Sequence, residues 1–132
     1  MLTKLSKAQV GFLKSQDVGR LATASKKGVP HVVPIIYALD GDAFVIAVDY
    51  HTKKLTNLRE NPEAALVVDE YGKGNKGIMV QGDCAILEKG PEYVRLLHIL
   101  FDRFEYYRKN PWGEGESPIL RIVPTKVAAW GF

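Results

Sequence analysis

The sequence has a single cysteine, few histidines and no long apolar run, and each shortage excludes a class of protein. Cys84 has no partner within the chain, which excludes a fold held by internal disulfides. The three histidines, His31, His51 and His98, are too dispersed to predict a metal site. No apolar segment reaches the length of a membrane-spanning helix, and no charged-then-apolar leader opens the chain. We therefore expect a cytoplasmic protein with no metal ion and no membrane partner.

Basic residues are not massed in any segment either. The chain has 18 Lys and Arg against 15 Asp and Glu, and its net charge is only +3. Because the basic residues are scattered, the sequence predicts no basic patch that would bind nucleic acid, and no predicted strand combines basic residues with stacking aromatics. With 46% hydrophobic and 25% charged residues, the composition is that of an ordinary globular protein. We expect one domain spanning residues 1–132, large enough to bury a core.

Short apolar runs between turn signals predict a mostly β protein with about three helices. A capping box at Ser6 and Gln9 predicts a first helix that ends near Gln16. A second, short helix follows residue 52, and Pro91 opens the longest predicted helix, which extends to Lys109. Gly82 lies inside a predicted strand and indicates a bulge or a tight bend. The predicted strands cover residues 18–24, 30–39, 43–48, 64–69, 78–87, 119–123 and 127–130.

The spacing of these strands indicates how they assemble. Tight turns, such as Asp40-Gly41-Asp42, join neighbouring strands and favour antiparallel pairing. The second and third strands are apolar on nearly every residue, so we expect both of their faces to be covered. The sequence therefore predicts a small closed barrel of six or seven antiparallel strands, with helices between some of them.

Two lysines begin the short helix that follows the third strand. Lys53 and Lys54 stand in its first turn, where the helix dipole is positive and opposes cations. A bound anion would remove this conflict, because backbone N–H groups and both lysines would converge on it, and phosphate is the obvious anion. The alternative is that both lysines are solvated and that Asp49 or Thr52 caps the helix.

Four segments, taken in order and spacing, resemble the pyridoxamine 5'-phosphate oxidase-like FMN-binding split β-barrel family. They are GRLATASKKGVPHVVPIIYALDGD, FVIAVDYHTKKLTNLRENPEAALVVDEY, MVQGDCAILE and ILRIVPTKVAAW, and together they cover most of the chain. The chain looks most similar to the short flavin- or deazaflavin-dependent oxidoreductases of this family. The resemblance implies an α+β split barrel that forms a homodimer, with two cofactor sites in grooves between the subunits.

The resemblance also implies a cofactor and a reaction. The cofactor would be FMN, and the activity would be hydride transfer to or from a small molecule that the sequence does not identify. No acid–base pair stands out, which agrees with a flavin that carries the chemistry in its own ring. Catalytic side chains are therefore not predicted.

Positions in the cofactor site follow from the matching segments. Backbone groups of the second strand would face the ring system, and the end of the third strand would line the same groove. The residues after that strand match a Ser-Arg-Lys cluster that holds flavin phosphate, and the C-terminal tryptophan would approach the partner's groove. Lys54 is the stronger phosphate match, because it stands three residues before Asn57-Leu58. The expected cofactor-binding residues are Pro34, Ile35, Ile36, Ala47, Val48, Thr52, Lys53, Lys54 and Trp130.

Departures from the family pattern keep two alternatives open. The second strand reads His31-Val32-Val33-Pro34-Ile35-Ile36-Tyr37, without two phosphate-binding cations of the pyridoxamine phosphate oxidases. Their C-terminal Arg-Leu-His-Asp-Arg segment is also missing, so oxidation of pyridoxamine phosphate is not expected. The weaker phosphate site leaves coenzyme F420, a deazaflavin, as an alternative cofactor of a reductase. A protein that binds flavin or haem without turnover is the other alternative.

Aromatic residues in the C-terminal third give a further expectation. Tyr106 and Tyr107 belong to a cluster on the long predicted helix, and Trp112 lies in the glycine-containing loop after it. Packing in the core or at a dimer surface is the first interpretation, since aromatics mainly supply buried area. The alternative is that one or two of them wall the cofactor groove and that Trp112 covers the substrate.

Overall fold

The computed structural model describes residues 4–132, and in this range the chain forms seven strands and four helices. The helices are α1 (Lys7–Ser15), α2 (Lys53–Glu60), α3 (Pro91–Arg103) and α4 (Glu105–Lys109). The strands are β1 (Val18–Ala24), β2 (Pro30–Ile36), β3 (Ala38–Asp40), β4 (Ala43–Ala47), β5 (Glu63–Glu70), β6 (Lys76–Leu87) and β7 (Ile119–Trp130). All seven strands form one antiparallel sheet in the order β2-β1-β5-β6-β7-β4-β3. The predicted α+β split barrel is confirmed. The expectation of a closed barrel is wrong, because within residues 4–132 β2 and β3 are the two edges of this sheet and do not pair with each other.

The sheet curls so that one face encloses the core. The inward side chains of β1, β4, β5, β6 and β7 form this core together with residues of α1 and α2. A second apolar cluster lies between α3 and strands β3, β4 and β7. Among residues 4–132 no helix is long and apolar enough to cross a lipid bilayer.

The predicted strand 30–39 is wrong in one respect, because two strands occupy this segment. Its first part pairs with β1 at one edge of the sheet, and its last part pairs with β4 at the other edge. Tyr37 stands between them with its ring fully buried, and its hydroxyl donates a hydrogen bond of 2.6 Å to the Leu13 carbonyl. Local sequence does not reveal this break, since it depends on where α1 packs.

The predicted helix 91–109 is also interrupted. Phe104 has an extended backbone (φ −118°, ψ 115°) and separates α3 from α4. The Arg108 guanidinium donates to the carbonyls of Phe101 and Asp102, at 2.6 and 3.1 Å, and so satisfies acceptors left free at the end of α3. After the break, α4 packs Tyr107 against the second apolar cluster, and Tyr106 and Tyr107 line a groove.

The C-terminal residues form one strand instead of the predicted two. Pro124 stays within β7 because it lies opposite Gly82, where the pairing of β6 and β7 shifts register. The predicted irregularity at Gly82 is thus confirmed, and a Cβ at that position would collide with the Val123 carbonyl. The capping box of Ser6 and Gln9 is present as well. Strands β5 and β6 are longer than predicted, since β6 already begins at Lys76.

Candidate functional site

An open groove of about 400 Å³ lies where β2, the end of β4, the start of α2 and helix α4 meet. Its size is that of a small-molecule or cofactor site. Its lining combines apolar residues at the ends of β2 and β4 with one cation, one carboxylate and several aromatic rings. The lining residues are Pro34, Ile35, Ile36, Ala47, Val48, Asp49, Lys54, Tyr106, Tyr107, Asn110, Trp112 and Ser117.

Strand β2 supplies one side of the groove. It is an edge strand that pairs only with β1, so the backbone groups on its other edge have no strand partner. Such free N–H and C=O groups are available to a ligand. Three consecutive residues at the end of β2, Pro34, Ile35 and Ile36, line the groove here. A flat ring with hydrogen-bonding edges can therefore be held by main-chain groups at this edge.

The N-terminus of α2 closes one end of the groove. Thr52 occupies the N-cap position, but its side chain makes no capping hydrogen bond and its hydroxyl instead donates to the Asp49 carbonyl at 2.9 Å. The first turn contains no acidic residue, so its N–H groups remain without a side-chain acceptor. Lys54 in the same turn lines the groove. This end is electropositive and suited to an anion.

The backbone that leads into α2 is strained. His51 has a left-handed conformation with φ of 67°, which is uncommon for residues other than glycine. Its side chain is exposed and does not line the groove. This sharp turn directs the chain from the end of β4 into α2, so that Val48 and Lys54 reach the same groove.

Aromatic residues form the wall opposite the sheet. The rings of Tyr107 and Trp112 meet edge to face with centroids 4.8 Å apart, and Phe101 packs against the other side of Trp112 at 5.1 Å. The Trp112 indole N–H donates to the buried Tyr93 hydroxyl at 2.9 Å, and that hydroxyl donates to the Ser117 carbonyl at 2.5 Å. These contacts fix the rings of the wall without help from a ligand.

The loop after α4 is tied to the floor of the groove. The Ser117 hydroxyl donates to the Val48 carbonyl at 2.6 Å, and the Val48 N–H donates to the Pro118 carbonyl at 3.0 Å. Asp49 follows directly and its charge raises the pKa of Tyr107, although burial of the phenol is the larger cause. Asp49 lines the groove next to Val48, whose carbonyl is joined through Ser117 to the Tyr93–Trp112 hydrogen bond of the aromatic wall.

Six of the nine cofactor-binding residues expected from the sequence line this groove, namely Pro34, Ile35, Ile36, Ala47, Val48 and Lys54. The other three lie elsewhere in the single chain. Thr52 stands at the N-cap position of α2 without a side-chain capping hydrogen bond, the Lys53 side chain is exposed, and Trp130 packs over Gly77 at the end of β7.

The groove also contains residues that the sequence did not single out. Asp49 follows the predicted strand end by one residue, and a wider window around Val48 would have included it. Asn110 and Ser117 carry no pattern that marks them, because only the break between α3 and α4 brings their loop to the sheet. Tyr106, Tyr107 and Trp112 line the groove. Tyr107 and Trp112 also pack against the second apolar cluster, as the first interpretation of the aromatic cluster expected.

A second groove, of about 420 Å³, lies at the far end of β1 and β6. Glu63 and Asp83 line it and face each other across β5 and β6, whereas no Lys or Arg does. A pair of carboxylates disfavours a phosphate ligand. This second groove is therefore less suited to a phosphate than the groove that Lys54 lines.

The lone cysteine is unsuited to catalysis. Cys84 is buried in β6, and burial raises the pKa of its thiol to about 12. At neutral pH the nucleophilic thiolate is therefore absent.

Comparison with known proteins decides the family. The sequence profile of the family described as "Pyridoxamine 5'-phosphate oxidase" matches residues 5–131. The chain belongs to this family. A protein named 5a,11a-dehydrotetracycline/5a,11a-dehydrooxytetracycline reductase, from Streptomyces rimosus, is 24% identical in an alignment of length 131 that covers 93% of this chain and 80% of that protein.

Solved structures with this fold carry several different names. The heme storage protein HutZ of Vibrio cholerae has a TM-score of 0.83 at 15% identity, covering 98% of this chain and 97% of its own. A FAD-binding protein of Mesorhizobium loti has a TM-score of 0.75 at 26% identity, covering 98% and 95%. An F420 reductase has a TM-score of 0.70 at 22% identity, covering 94% and 98%. Proteins named as a reductase and as a heme protein thus share this fold.

Proposed function

We propose that this protein is an FMN-dependent oxidoreductase that transfers hydride to or from a small molecule in the groove beside β2. The observation that carries the proposal is the groove itself. It joins an uncapped helix N-terminus and Lys54 at one end to a free sheet edge along its length. Family membership and the reductase names of relatives support an oxidoreductase.

The phosphate would bind at the start of α2. Its charge would be met by the Lys54 ammonium and by the free N–H groups of the first turn. Lys53 is exposed beside this site and would act through its charge alone. Thr52 keeps its hydroxyl bonded to the Asp49 carbonyl, and a lone pair of that hydroxyl oxygen remains unused.

The ring system would lie along β2. Backbone groups at Pro34, Ile35 and Ile36 would orient it, and Ala47 and Val48 would form an apolar floor that excludes water. The flavin supplies the hydride chemistry, so the protein needs to bind and orient it and to hold a substrate over its exposed face.

We also propose that the protein is a homodimer and that the outer face of the sheet is its interface. Across β2, β1, β5, β6 and β7 the paired residues Pro34, Arg20, Val67, Met79 and Ala128 form one row, and Val32, Ala22, Ala65, Gln81 and Lys126 form the next. Most of these side chains are apolar, and Val32 is 64% exposed. An apolar band of this width on one chain is typical of an interface.

The position of the groove fits such a dimer. Pro34 belongs both to the interface row and to the groove lining, so the groove opens at the border of this face. A two-fold axis along the central strand β5 would place β7 of one subunit against β2 of the other. Trp130, at the end of β7, would then stand near the partner's Ile36 and complete the cofactor site.

Sedimentation at micromolar concentration tests the dimer. Val67→Glu and Met79→Glu place charges in the middle of the proposed interface and should give monomers with weakened FMN binding. Val29→Glu is the matched control, since Val29 is an exposed apolar residue in the turn between β1 and β2. A wild-type protein that is monomeric yet binds FMN tightly would show that the interfacial site is wrong.

The absorbance spectrum of the purified protein, followed by titration with FMN and with F420, tests the cofactor. Tight binding of FMN, with F420 ignored, supports the proposal, and bleaching of bound FMN by a reduced nicotinamide supports an enzyme over a store. Tight binding of F420 would instead support a deazaflavin-dependent reductase. A Soret band without flavin binding would support a haem protein like the structural relative HutZ.

A further inference from the structure

The groove has an aromatic end whose chemistry differs from that of its phosphate end. We propose that this end, formed by Tyr106, Tyr107, Trp112 and Asp49, binds the rings of a flat conjugated substrate that carries no negative charge. This inference rests on the proposed function, because it assigns Lys54 to the cofactor phosphate. It deepens that function by naming the class of substrate.

The charges that line the groove exclude anionic substrates. Lys54 is the one Lys or Arg among the lining residues, and the cofactor phosphate would neutralise it. The remaining charge is the carboxylate of Asp49, which lines the same groove as Tyr107. An organic phosphate, sulfonate or carboxylate would therefore meet a like charge and no free cation among the lining residues, since Lys53 lies outside the lining. A neutral or cationic molecule meets no such barrier.

The aromatic rings favour a flat substrate. Tyr107 and Trp112 are fixed by their edge-to-face contact and by the hydrogen bond from Trp112 to Tyr93. Tyr106 lies beside them, with its ring centroid 6.0 Å from that of Tyr107, and yet it remains 68% exposed. An exposed ring at the lip of a groove offers a stacking face at little cost in side-chain entropy.

The anchoring of α4 keeps this ring in place. The Asn110 side chain donates to the Tyr106 carbonyl at 3.0 Å, and Arg108 ties the helix back to the end of α3. The position of Tyr106 is therefore set by the fold before any substrate arrives. Asn110, which also lines the groove, adds a neutral polar group that can orient a carbonyl or hydroxyl on the substrate.

A matched pair of probes tests the inference, namely 1,4-naphthoquinone and 1,4-naphthoquinone-2-sulfonate, which differ by one negative charge. Each is titrated by calorimetry into the FMN-loaded protein, with saturation by FMN verified from its visible absorbance. We expect the neutral quinone to bind at least three- to fivefold more tightly than the sulfonate. Asp49→Asn should reduce this ratio by improving only the binding of the sulfonate.

Substitutions at the lip test the stacking. Tyr106→Ala should weaken naphthoquinone binding about three- to tenfold, whereas Tyr106→Phe should retain it, because the ring and not the hydroxyl makes the contact. Tyr71→Ala is the matched control, since Tyr71 is 65% exposed but lies in the loop after β5. FMN affinity should be unchanged in all three variants.

The outcomes separate this inference from the proposed function. Equal or tighter binding of the sulfonate, or an unchanged affinity in Tyr106→Ala, would overturn the substrate class even if FMN binds well. Failure of FMN to bind would refute the proposed cofactor instead. In that case the same two probes are titrated into the Lys54→Ala apoprotein, where a retained preference for the neutral quinone supports the aromatic site and its loss overturns it.

Discussion

Replacement of Lys54 by alanine is the most direct perturbation of the proposed phosphate site. Lys54 is the one Lys or Arg that lines the groove, and its side chain is half-buried at the start of α2. A hydrogen bond to a charged group contributes about 1.5–3 kcal/mol. Lys54→Ala should therefore weaken FMN binding by roughly 10- to 140-fold, since each 1.4 kcal/mol is a factor of ten. The free N–H groups of α2 remain, so binding should not be abolished.

Quenching of flavin fluorescence, measured at one fixed salt concentration, gives both affinities. Riboflavin has the same ring but no phosphate, so its affinity should be almost unaffected by Lys54→Ala. Lys53→Ala is the matched control on the same helix, because Lys53 is exposed and does not line the groove. We expect it to change FMN affinity by at most about fivefold, the effect of an exposed charge.

The stability of the Lys54→Ala apoprotein separates a binding role from a structural one. A cation in the first turn of a helix opposes the helix dipole by about 0.3–1 kcal/mol. Its removal should leave the free energy of unfolding unchanged or slightly raised, which urea denaturation measures. Equal losses of affinity for FMN and riboflavin, or a clearly destabilised apoprotein, would refute the assignment of Lys54 to the phosphate.

Three further predictions concern stability and reactivity. Hydrogen bonds from Arg95 and Arg121 lower the pKa of Asp40 to about 2 from 3.8, so its ion pairs stabilise the fold above pH 4 and are lost as the pH falls through 2. Between pH 5 and pH 2 the wild-type protein should lose about 2 kcal/mol of its free energy of unfolding through protonation of Asp40, and Asp40→Asn should not show this loss. Urea unfolding at several pH values measures the difference, and identical pH profiles would contradict it. Cys84 should react with a thiol reagent at pH 8 only after unfolding, because burial raises its pKa to about 12, and fast labelling of the native protein would show otherwise. Gly82→Ala should destabilise the fold by about 1–3 kcal/mol, since its Cβ meets a backbone carbonyl of β7, and an unchanged midpoint of thermal unfolding would disagree.

Local sequence predicted most of the elements because their signals are short-range. The capping box at Ser6, the Asp40-Gly41-Asp42 turn and Pro91 at the start of α3 each fix a boundary through contacts within a few residues. Gly82 marked a bulge because only glycine leaves room for the neighbouring strand. These features needed no knowledge of the rest of the molecule.

The breaks within elements were not predictable in the same way. Tyr37 divides one apolar run between two edges of the sheet because its hydroxyl reaches a carbonyl of α1. Phe104 divides one helical pattern because its backbone is extended and Arg108 satisfies the end of α3. The break at Tyr37 depends on a partner that is distant in sequence. The break at Phe104 depends on hydrogen bonds that Arg108 makes in the folded chain.

The candidate site likewise has one part that local sequence indicates and another that depends on tertiary packing. The sequence by itself predicted the anion end, since cations in the first turn of a helix are unfavourable in isolation and a bound anion would remove the conflict. Only the tertiary structure decided that β2 is an edge strand and that the tyrosines of α4 and Asp49 line the same groove. The reason is physical: helix ends and turns are set by neighbouring residues, whereas a groove exists only where segments far apart in sequence pack together and leave space between them.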